Sequence, residues 1–292
     1  MSREVNVDWR KLYKMQKDSG DQIREDIFDA PFSTCELELA LRRLKVKKSP
    51  CGDYIHAEFL RHLGMGASKT MLNVFNRIWE SGQISAHWRR AIIVPVLKKN
   101  KDSGHLNSYR PISHTSIQEK TMERLVVNRL NRYLEEYGML AVEQAGFHNN
   151  RPTCDQVIQF SQFIKDALDD RNILTAVYID FKGAYDSVWR EKLYQKLPSF
   201  GITSNLFNWI RSFTSQRTCR VKFGYSFFKS FNLQTGLPQG AVSSCTLFNI
   251  CINDIVSTLK SISGVKRLLF ADDLVIWTKH QNAMQKTLLK VD

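Results

Sequence analysis

A hydrophobic run broken by two adjacent acids constrains this chain more than any other feature: RLLFADDLVIW, residues 267–277. Each flank is short and apolar, as a buried β-strand requires. Burying one unpaired carboxylate costs several kcal/mol, and a like charge about 4 Å away adds roughly 4 kcal/mol at an effective dielectric of about 20. The run is therefore predicted to form a β-hairpin with Asp272 and Asp273 at its tip, where a cation offsets their charge. For this pair alone, ordinary turn chemistry is the competing interpretation.

A third carboxylate, Asp180, ends a second apolar strand, ILTAVYID at residues 173–180. A residue at the carboxyl end of a strand lies at the rim of a sheet, where ligands commonly bind. If this strand pairs with the hairpin, Asp180, Asp272 and Asp273 converge into a set of oxygen ligands that suits Mg²⁺. Two such ions about 3.5–4 Å apart promote in-line displacement at a phosphate, so the pattern favours phosphoryl-transfer chemistry.

The charge balance points to a polyanionic partner. Of the 292 residues, 42 are Lys or Arg and 29 are Asp or Glu, which gives a formal net charge of +13. Such an excess favours binding to nucleic acid. The chain is 43% hydrophobic and 24% charged, which is typical of a globular protein. On composition alone, a soluble protein that is merely basic is the alternative.

The cysteines and the N-terminal sequence predict an intracellular protein of the nucleus or cytoplasm. None of the six cysteines forms a C-x-x-C pair or has a matching histidine spacing, which argues against a zinc site and a disulfide framework. Residues 1–21 lack the apolar core of a signal peptide. No apolar run reaches the roughly 18 residues that a membrane span requires, so neither secretion nor membrane insertion is expected.

Helical and strand periodicities alternate along the chain. Helices are predicted over residues 34–48, 55–62, 67–79, 115–137, 153–168, 189–197, 205–214 and 243–259. Strands are predicted over residues 91–97, 173–180, 219–223 and 226–233, besides the hairpin, and a basic loop over residues 98–111. This order predicts an α+β fold in which helices pack on one face of a sheet.

Two of these helices carry further predictions. Thr34 is expected to cap the first helix, with Glu38 four residues later. The helix over residues 115–137 has one apolar stripe for the core and one basic stripe that could contact phosphates. Because Glu119 and Glu123 lie between the stripes, a merely solvated face is an equally open interpretation.

Six segments follow one another in a fixed order along nearly the whole chain. They are HWRRAIIVPVLKKNKD, SYRPISHTSIQEKTMERLVVNRL, EQAGFHNNRPTCDQV, DFKGAYDSVW, TGLPQGAVSSCTLFNICIND and FADD. Together they resemble the successive motifs of the reverse transcriptases of non-LTR (LINE-type, jockey-like) retrotransposons. FADD alone occurs by chance in many proteins, whereas the ordered set is highly specific.

The resemblance implies the fingers and palm of a right-hand polymerase, with an antiparallel palm sheet. It implies an N-terminal helical extension over residues 1–90, fingers over 91–172 and a palm over 173–292. The thumb of the family is expected to be absent from this chain, and no endonuclease region is visible in it. Without a thumb, the grip on a template–primer duplex is expected to weaken steeply as salt rises.

The activity implied is that of an RNA-directed DNA polymerase. The 3′-hydroxyl of a DNA primer attacks the α-phosphate of a dNTP on an RNA template, without a protein nucleophile. By the resemblance, Asp180 and Asp272 are the principal ligands of two Mg²⁺ ions, with Asp273 beside them. Mn²⁺ is a possible substitute.

The resemblance also assigns substrate contacts. Arg110, Tyr185 and Gln239 are expected to bind the nucleotide, with Tyr185 beneath the sugar, where its ring clashes with a 2′-hydroxyl. The template and primer are expected to contact Gly146, Arg151, Gly236, Pro238 and Gly240, the last three in the turn that also walls the nucleotide pocket. A core position for Tyr185 and a plain loop around Gly146 and Arg151 are the alternatives, and the lysines at positions 98, 99 and 101 are left open.

The chain departs from the family pattern at several positions. CGDY at residues 51–54 replaces Gly-Pro-Asp-Gly, and His148, Pro152 and Cys245 stand where arginine, serine and proline are usual. None of these changes removes a carboxylate, but together they indicate a drifted copy. One alternative is therefore an inactive relic that only binds nucleic acid, and another is an RNA-dependent RNA polymerase, which Tyr185 argues against.

Overall fold

The computed structural model describes residues 27–148 and 151–280 of the chain. Its α-helices are α1 (Thr34–Arg42), α2 (Ala57–Arg61), α3 (Met65–Ser81), α4 (Ile117–Glu136), α5 (Thr153–Asp169), α6 (Arg190–Lys196), α7 (Ser204–Thr214) and α8 (Ser244–Lys260). Its strands are β1 (Arg90–Leu97), β2 (Tyr109–His114), β3 (Ile173–Asp180), β4 (Arg217–Phe223), β5 (Ser226–Phe227), β6 (Phe231–Leu233), β7 (Lys266–Phe270) and β8 (Asp273–His280). Every predicted helix is present, although α1 ends before the predicted Lys48.

The first sheet joins strands from distant parts of the chain. The strand order is β2-β1-β4-β5, and β6 also pairs with β4. β1 runs antiparallel to β2 but parallel to β4, so that Arg90 pairs with Thr218. Residues 217–233, which the predicted division assigns to the palm, therefore share a sheet with β1 and β2.

Two predictions about this sheet are wrong. β2 occupies the end of the segment predicted as a basic loop over residues 98–111, because its backbone pairs with β1 from Tyr109 onward. The single strand predicted over residues 226–233 is divided instead into β5 and β6, which pair with opposite ends of β4. Local composition does not reveal either result, because the pairing partner lies elsewhere in the sequence.

The second sheet brings Asp180 to the hairpin. Its strand order is β3-β8-β7, and both pairs are antiparallel. The register of β3 and β8 runs from Ile173 opposite His280 to Asp180 opposite Asp273. The predicted hairpin, and its position beside the strand at residues 173–180, are thus confirmed.

Helices contact both faces of the second sheet. Val256 and Leu259 of α8 pack against one face in a buried apolar cluster. On the opposite face, Phe160 and Phe163 of α5 contact Trp277, with ring centroids 4.9 Å and 5.3 Å apart. The prediction of helices on one face alone is therefore wrong, because Trp277 provides an apolar contact on the second face.

The main core lies among α3, α4, α6, α7 and α8, and its largest fully buried side chains include Trp79 and Trp209. The start of α1 differs from the prediction. Ser33 is the N-cap, and its side chain and that of Glu36 form a reciprocal capping box. The predicted cap at Thr34 is wrong by one residue. Across the described residues, no helix combines the length and apolar character needed to cross a bilayer.

Helix α4 is buried on more sides than its two stripes indicate. Glu119 Oε1 lies 2.9 Å from Arg217 Nη1, and both side chains are fully buried. Glu123 Oε2 accepts hydrogen bonds from the backbone N–H groups of Val242 and Ser243 at 2.7 Å and 3.0 Å. The two acids therefore connect α4 to β4 and to the start of α8, and the solvated interpretation is wrong for them.

Candidate active site

Two of the three predicted carboxylates face each other at one end of the second sheet, and the third lies in the adjoining turn. Asp180 ends β3 and Asp273 begins β8, and the two are cross-strand partners. Directly opposed residues of an antiparallel pair share a face, with Cα atoms about 4.5–5.5 Å apart. Partial burial, and then the charges of Asp272 and Asp180, raise the pKa of Asp273. The hairpin therefore concentrates negative charge at the rim of the sheet.

The ligand chemistry of this site fits a hard divalent cation. Within residues 27–148 and 151–280, none of the three carboxylates has a hydrogen-bond donor or an ion-pair partner. In the same part of the chain, no group of three or more His, Cys, Asp or Glu side chains is close enough to hold a metal ion. The predicted convergence of all three carboxylates is therefore not met in the described residues: Asp180 and Asp273 are paired, and Asp272 lies in the turn beside them. Carboxylate oxygens are the kind of donor that Mg²⁺ prefers.

Tyr185 is half-buried between the main core and the carboxylates. Its ring stacks on Phe248, with centroids 5.0 Å apart and planes 26° apart. Its hydroxyl donates a hydrogen bond to the thiol of Cys245 at 3.6 Å. Burial, followed by Cys245 and the charge of Asp272, raises the pKa of Tyr185. The residue is thus packed against the core and also lies within electrostatic reach of the hairpin turn.

The GLPQG turn, residues 236–240, packs between β2 and the segment that follows β3. The N–H of Gly236 donates to the carbonyl of Val188 at 2.9 Å, and the N–H of Ser113 on β2 donates to the carbonyl of Gln239 at 2.7 Å. These bonds fix the turn to β2 of the first sheet and to the segment that follows β3. The loop is accordingly a rigid part of the site rather than a free connection.

Steric requirements explain both glycines of this turn. Gly236 has φ +80°, and a Cβ there would lie 2.7 Å from the carbonyl oxygen of Asp186. Gly240 has φ +99°, a conformation that side-chain-bearing residues rarely adopt. The carbonyl of Pro238 accepts a hydrogen bond from the hydroxyl of Ser244 at 2.9 Å, which connects the turn to α8.

The side chain of Gln239 is held by an acid of the DFKGAYDSVW segment to which the sequence assigns no role. Gln239 Nε2 donates to Asp186 Oδ2 at 2.8 Å. Burial raises the pKa of Asp186, and the hydrogen bond from Gln239 opposes that effect. Both residues line a cavity of about 310 Å³ beside Pro111 of β2. Cavities of this size are large enough for a small ligand.

Arg190 is a second residue that the motifs do not identify. Its buried guanidinium donates hydrogen bonds to the carbonyls of Gly236, Leu233 and Thr235 at 2.8 Å, 2.9 Å and 2.8 Å. Through these three bonds, Arg190 holds the segment that leads into the GLPQG turn. No pattern in the sequence distinguishes this arginine from a solvated residue at the start of a helix.

The predicted finger cations lie on β2 and the loop before it. Arg110 is exposed on β2 opposite Val96. In the described residues its guanidinium has no hydrogen bond or ion pair to another side chain. The lysines at positions 98, 99 and 101 lie in the connection between β1 and β2. Arg110 is thus available to a ligand, and its nucleotide contact stays a prediction.

The two residues predicted to hold the template have internal contacts. Gly146 lies against the hairpin turn, because a Cβ there would approach the backbone nitrogen of Ala271 to 2.1 Å. Arg151 Nη1 donates to the carbonyls of Ala141 and Gln144 at 3.3 Å and 3.1 Å. Their contacts with a template stay predictions, and the structure gives each a role in fixing the loop beside the carboxylates.

The sequence matches one protein family and is similar to several known proteins. Residues 96–292 match the sequence profile of the family described as reverse transcriptase (RNA-dependent DNA polymerase). The chain is 30% identical over 225 residues, 77% of its length, to the "Probable RNA-directed DNA polymerase from transposon BS" of Drosophila melanogaster. It is 27% identical over 258 residues, 86% of its length, to the RNA-directed DNA polymerase from mobile element jockey of the same species. The chain spans 25% and 28% of the lengths of these two relatives.

Proposed function

The chain belongs to the reverse transcriptase family, of the kind found in jockey-like non-LTR retrotransposons, and we propose that it is the polymerase core of such an element. In this proposal it adds dNTPs to a DNA 3′ end on an RNA template. The observation that carries the proposal is the register of β3 and β8, which sets Asp180 opposite Asp273. Asp272 lies in the turn between β7 and β8, directly before Asp273.

The carboxylates are proposed to hold the reacting groups in line. Asp180 and Asp272 are the principal metal ligands in this proposal, with Asp273 beside them. When bound, a pair of Mg²⁺ ions supplies activation of the primer 3′-hydroxyl and neutralises the pyrophosphate leaving group. The cross-strand pairing of Asp180 with Asp273 supports this role, because it brings two oxygen ligands to one end of the sheet.

The nucleotide is proposed to occupy the space between the carboxylates, Tyr185 and the cavity at Gln239 and Asp186. Tyr185 would exclude a 2′-hydroxyl from beneath the sugar, and its stacking on Phe248 supports this, because a fixed ring discriminates better than a mobile one. Arg110 would hold the triphosphate through its unpaired guanidinium, whose planar fork matches phosphate oxygens.

Template and primer are proposed to lie along the GLPQG turn and the loop at Gly146 and Arg151. The net charge of +13 supports contact with a polyanionic hybrid. A hybrid held through its backbone and shape requires no base-specific contact. Its affinity should therefore fall steeply with ionic strength but vary little with template sequence.

Primer extension by the purified chain tests the proposal. An RNA template, a DNA primer and dNTPs are supplied with Mg²⁺ or Mn²⁺, and the wild type is compared with Asp272→Ala and Asp180→Ala. Each substitution should reduce extension by roughly a thousandfold, because transition-state charge stabilisation of this kind contributes several kcal/mol. Asp169→Ala, at the exposed end of α5, is the matched control and should extend normally.

Each alternative gives a different result in the same assay. Extension that survives Asp272→Ala would refute the carboxylate mechanism. Hybrid binding without extension by the wild type would identify an inactive nucleic-acid-binding relic. Incorporation of rNTPs in preference to dNTPs would identify an RNA polymerase.

A further inference from the structure

We propose that Gln144 is a positioning residue that holds the turn bearing Asp272 and Asp273 in its working conformation. The catalytic part of this inference rests on the proposed function, whereas the structural part does not. Gln144 lies in the loop between α4 and α5, far in sequence from the hairpin, and its side chain is buried. None of the sequence patterns assigns it a role.

The carboxamide of Gln144 forms three hydrogen bonds, and all involve backbone groups at or beside the turn. Its Oε1 accepts from the N–H of Ala271 at 2.9 Å and from the N–H of Gly146 at 2.8 Å. Its Nε2 donates to the carbonyl of Ala271 at 3.1 Å. The side chain therefore pairs with Ala271 as a neighbouring strand would, using both a donor and an acceptor.

The surrounding loop reinforces this pairing. The N–H of Ala145 donates to the carbonyl of Leu269, and the N–H of Leu269 donates to the carbonyl of Glu143, each at 2.9 Å. A Cβ on Gly146 would lie only 2.1 Å from the nitrogen of Ala271, so the two backbones are in direct contact. The segment thus acts as an additional edge along β7 up to the catalytic turn.

A hydrogen bond from α8 holds the loop at Gly146. Asn249 Nδ2 donates to the carbonyl of Gly146 at 2.8 Å. The turn is consequently tied to the main helical core through Gly146 as well as through its own strands.

The turn needs such support because its conformation is unfavourable. Ala271 has φ +56°, in the left-handed region that a residue with a side chain rarely adopts. The adjacent carboxylates Asp272 and Asp273 also repel each other. A strained and charged turn keeps one conformation only when its surroundings impose it.

The chemistry of the side chain explains why glutamine is suited to this position. A glutamate of the same shape would retain the acceptor for Ala271 N–H, but its second oxygen would face the carbonyl of Ala271 without a proton to share. It would also add a fourth negative charge near the carboxylates. A leucine would fill the same space and form none of the three bonds.

The consequence for catalysis is geometric. Metal-binding and reacting groups must be held to within about 0.5 Å of their productive positions by residues outside the site. Removing a residue that orients metal ligands typically weakens metal binding by about 10–100-fold. Gln144 should therefore act on metal affinity and on kcat rather than on binding of the nucleotide.

The experiment compares wild type, Gln144→Leu, Gln144→Glu and a control, Thr214→Val. Thr214 is also fully buried and hydrogen-bonded, to Ile210 O at 2.8 Å, but lies on α7 without a contact to the turn. Three quantities are measured: hydrogen exchange of peptides spanning residues 267–276, binding of Mn²⁺ alone by electron paramagnetic resonance, and kcat and KM for primer extension.

In both Gln144 variants we expect exchange at the turn to accelerate, and in Gln144→Leu we expect Mn²⁺ affinity to fall about tenfold. We expect kcat to fall at least tenfold with little change in the KM for dNTP. Thr214→Val should change none of these quantities, even where its melting temperature falls by the same amount. Unchanged exchange at the turn in both variants, or equal effects in Thr214→Val, would overturn the inference.

The readouts separate the two proposals. If the wild type does not extend primers, the proposed function fails, while exchange and Mn²⁺ binding still decide the role of Gln144. If Gln144→Leu does not fold, Gln144→Glu decides it, because this variant keeps the shape and the acceptor. Normal exchange at the turn in Gln144→Glu would then refute the positioning role.

Discussion

Replacing Arg190 by methionine should release the GLPQG turn and destabilise the fold. The side chain donates three hydrogen bonds to backbone carbonyls, at 2.8 Å, 2.9 Å and 2.8 Å, and is almost fully buried. Hydrogen bonds from charged groups contribute about 1.5–3 kcal/mol each, and losses of neighbouring bonds are not additive. We therefore expect the free energy of unfolding to fall by about 3–5 kcal/mol. Arg190→Lys, which can satisfy one carbonyl well, should lose less.

Urea unfolding, together with hydrogen exchange of residues 233–240, measures these effects. Exchange in that segment should accelerate in Arg190→Met before global unfolding, because the carbonyls lie in one short stretch. Arg77→Met, at an exposed position on α3, serves as the control and should change the free energy of unfolding by less than about 0.5 kcal/mol. A loss below about 1 kcal/mol in Arg190→Met would contradict the three-bond account, since one such bond alone is expected to contribute more.

Three further predictions concern charge, backbone space and substrate choice. Burial raises the pKa of Glu119 to about 7. The folded state therefore holds this proton more tightly than the unfolded state, so the free energy of unfolding should fall as pH rises from 4.5, the ordinary pKa of a glutamate, to about 7. In urea titrations, the free energy of unfolding of Glu119→Gln should fall less steeply with pH. Gly236→Ala should destabilise the protein more than Gly138→Ala, because both glycines have positive φ but only Gly236 would place a Cβ 2.7 Å from a backbone oxygen; equal losses in melting experiments would refute the steric argument. Tyr185→Ala should raise rNTP incorporation relative to dNTP by at least about tenfold, whereas Tyr185→Phe should not, and equal ratios in competitive primer extension would exclude the ring from this role.

The elements that position the carboxylates could be predicted because their signals are local. The strand at residues 173–180 and the hairpin are short apolar runs that end in acids, and the cost of burying a charge places such acids at the rim of the sheet, where Asp180 and Asp273 are exposed. Helix α4 was equally clear from its four-residue repeat. In these segments, periodicity and the cost of buried charge indicate the same structure.

The residues that support the site could not be predicted because their partners are distant in sequence. Gln144 bonds to Ala271, and Glu123 bonds to Val242 and Ser243. A lone amide or acid on a helix or loop looks solvated until its partner is known. β2 has a different cause: the lysines and turn formers before it indicate a loop, and only its backbone pairing with β1 makes it a strand.

The parallel pairing of β1 with β4 has a consequence for how the chain is made. Arg90 has its partner Thr218 only after α4, α5 and the whole of β3 have left the ribosome. Closing so long a loop is entropically costly, and distant pairings slow folding. The hairpin of β1 and β2 therefore keeps the β4-pairing edge of β1 unpaired until β4 has been synthesised. Chaperone binding to nascent chains should be strongest during that interval.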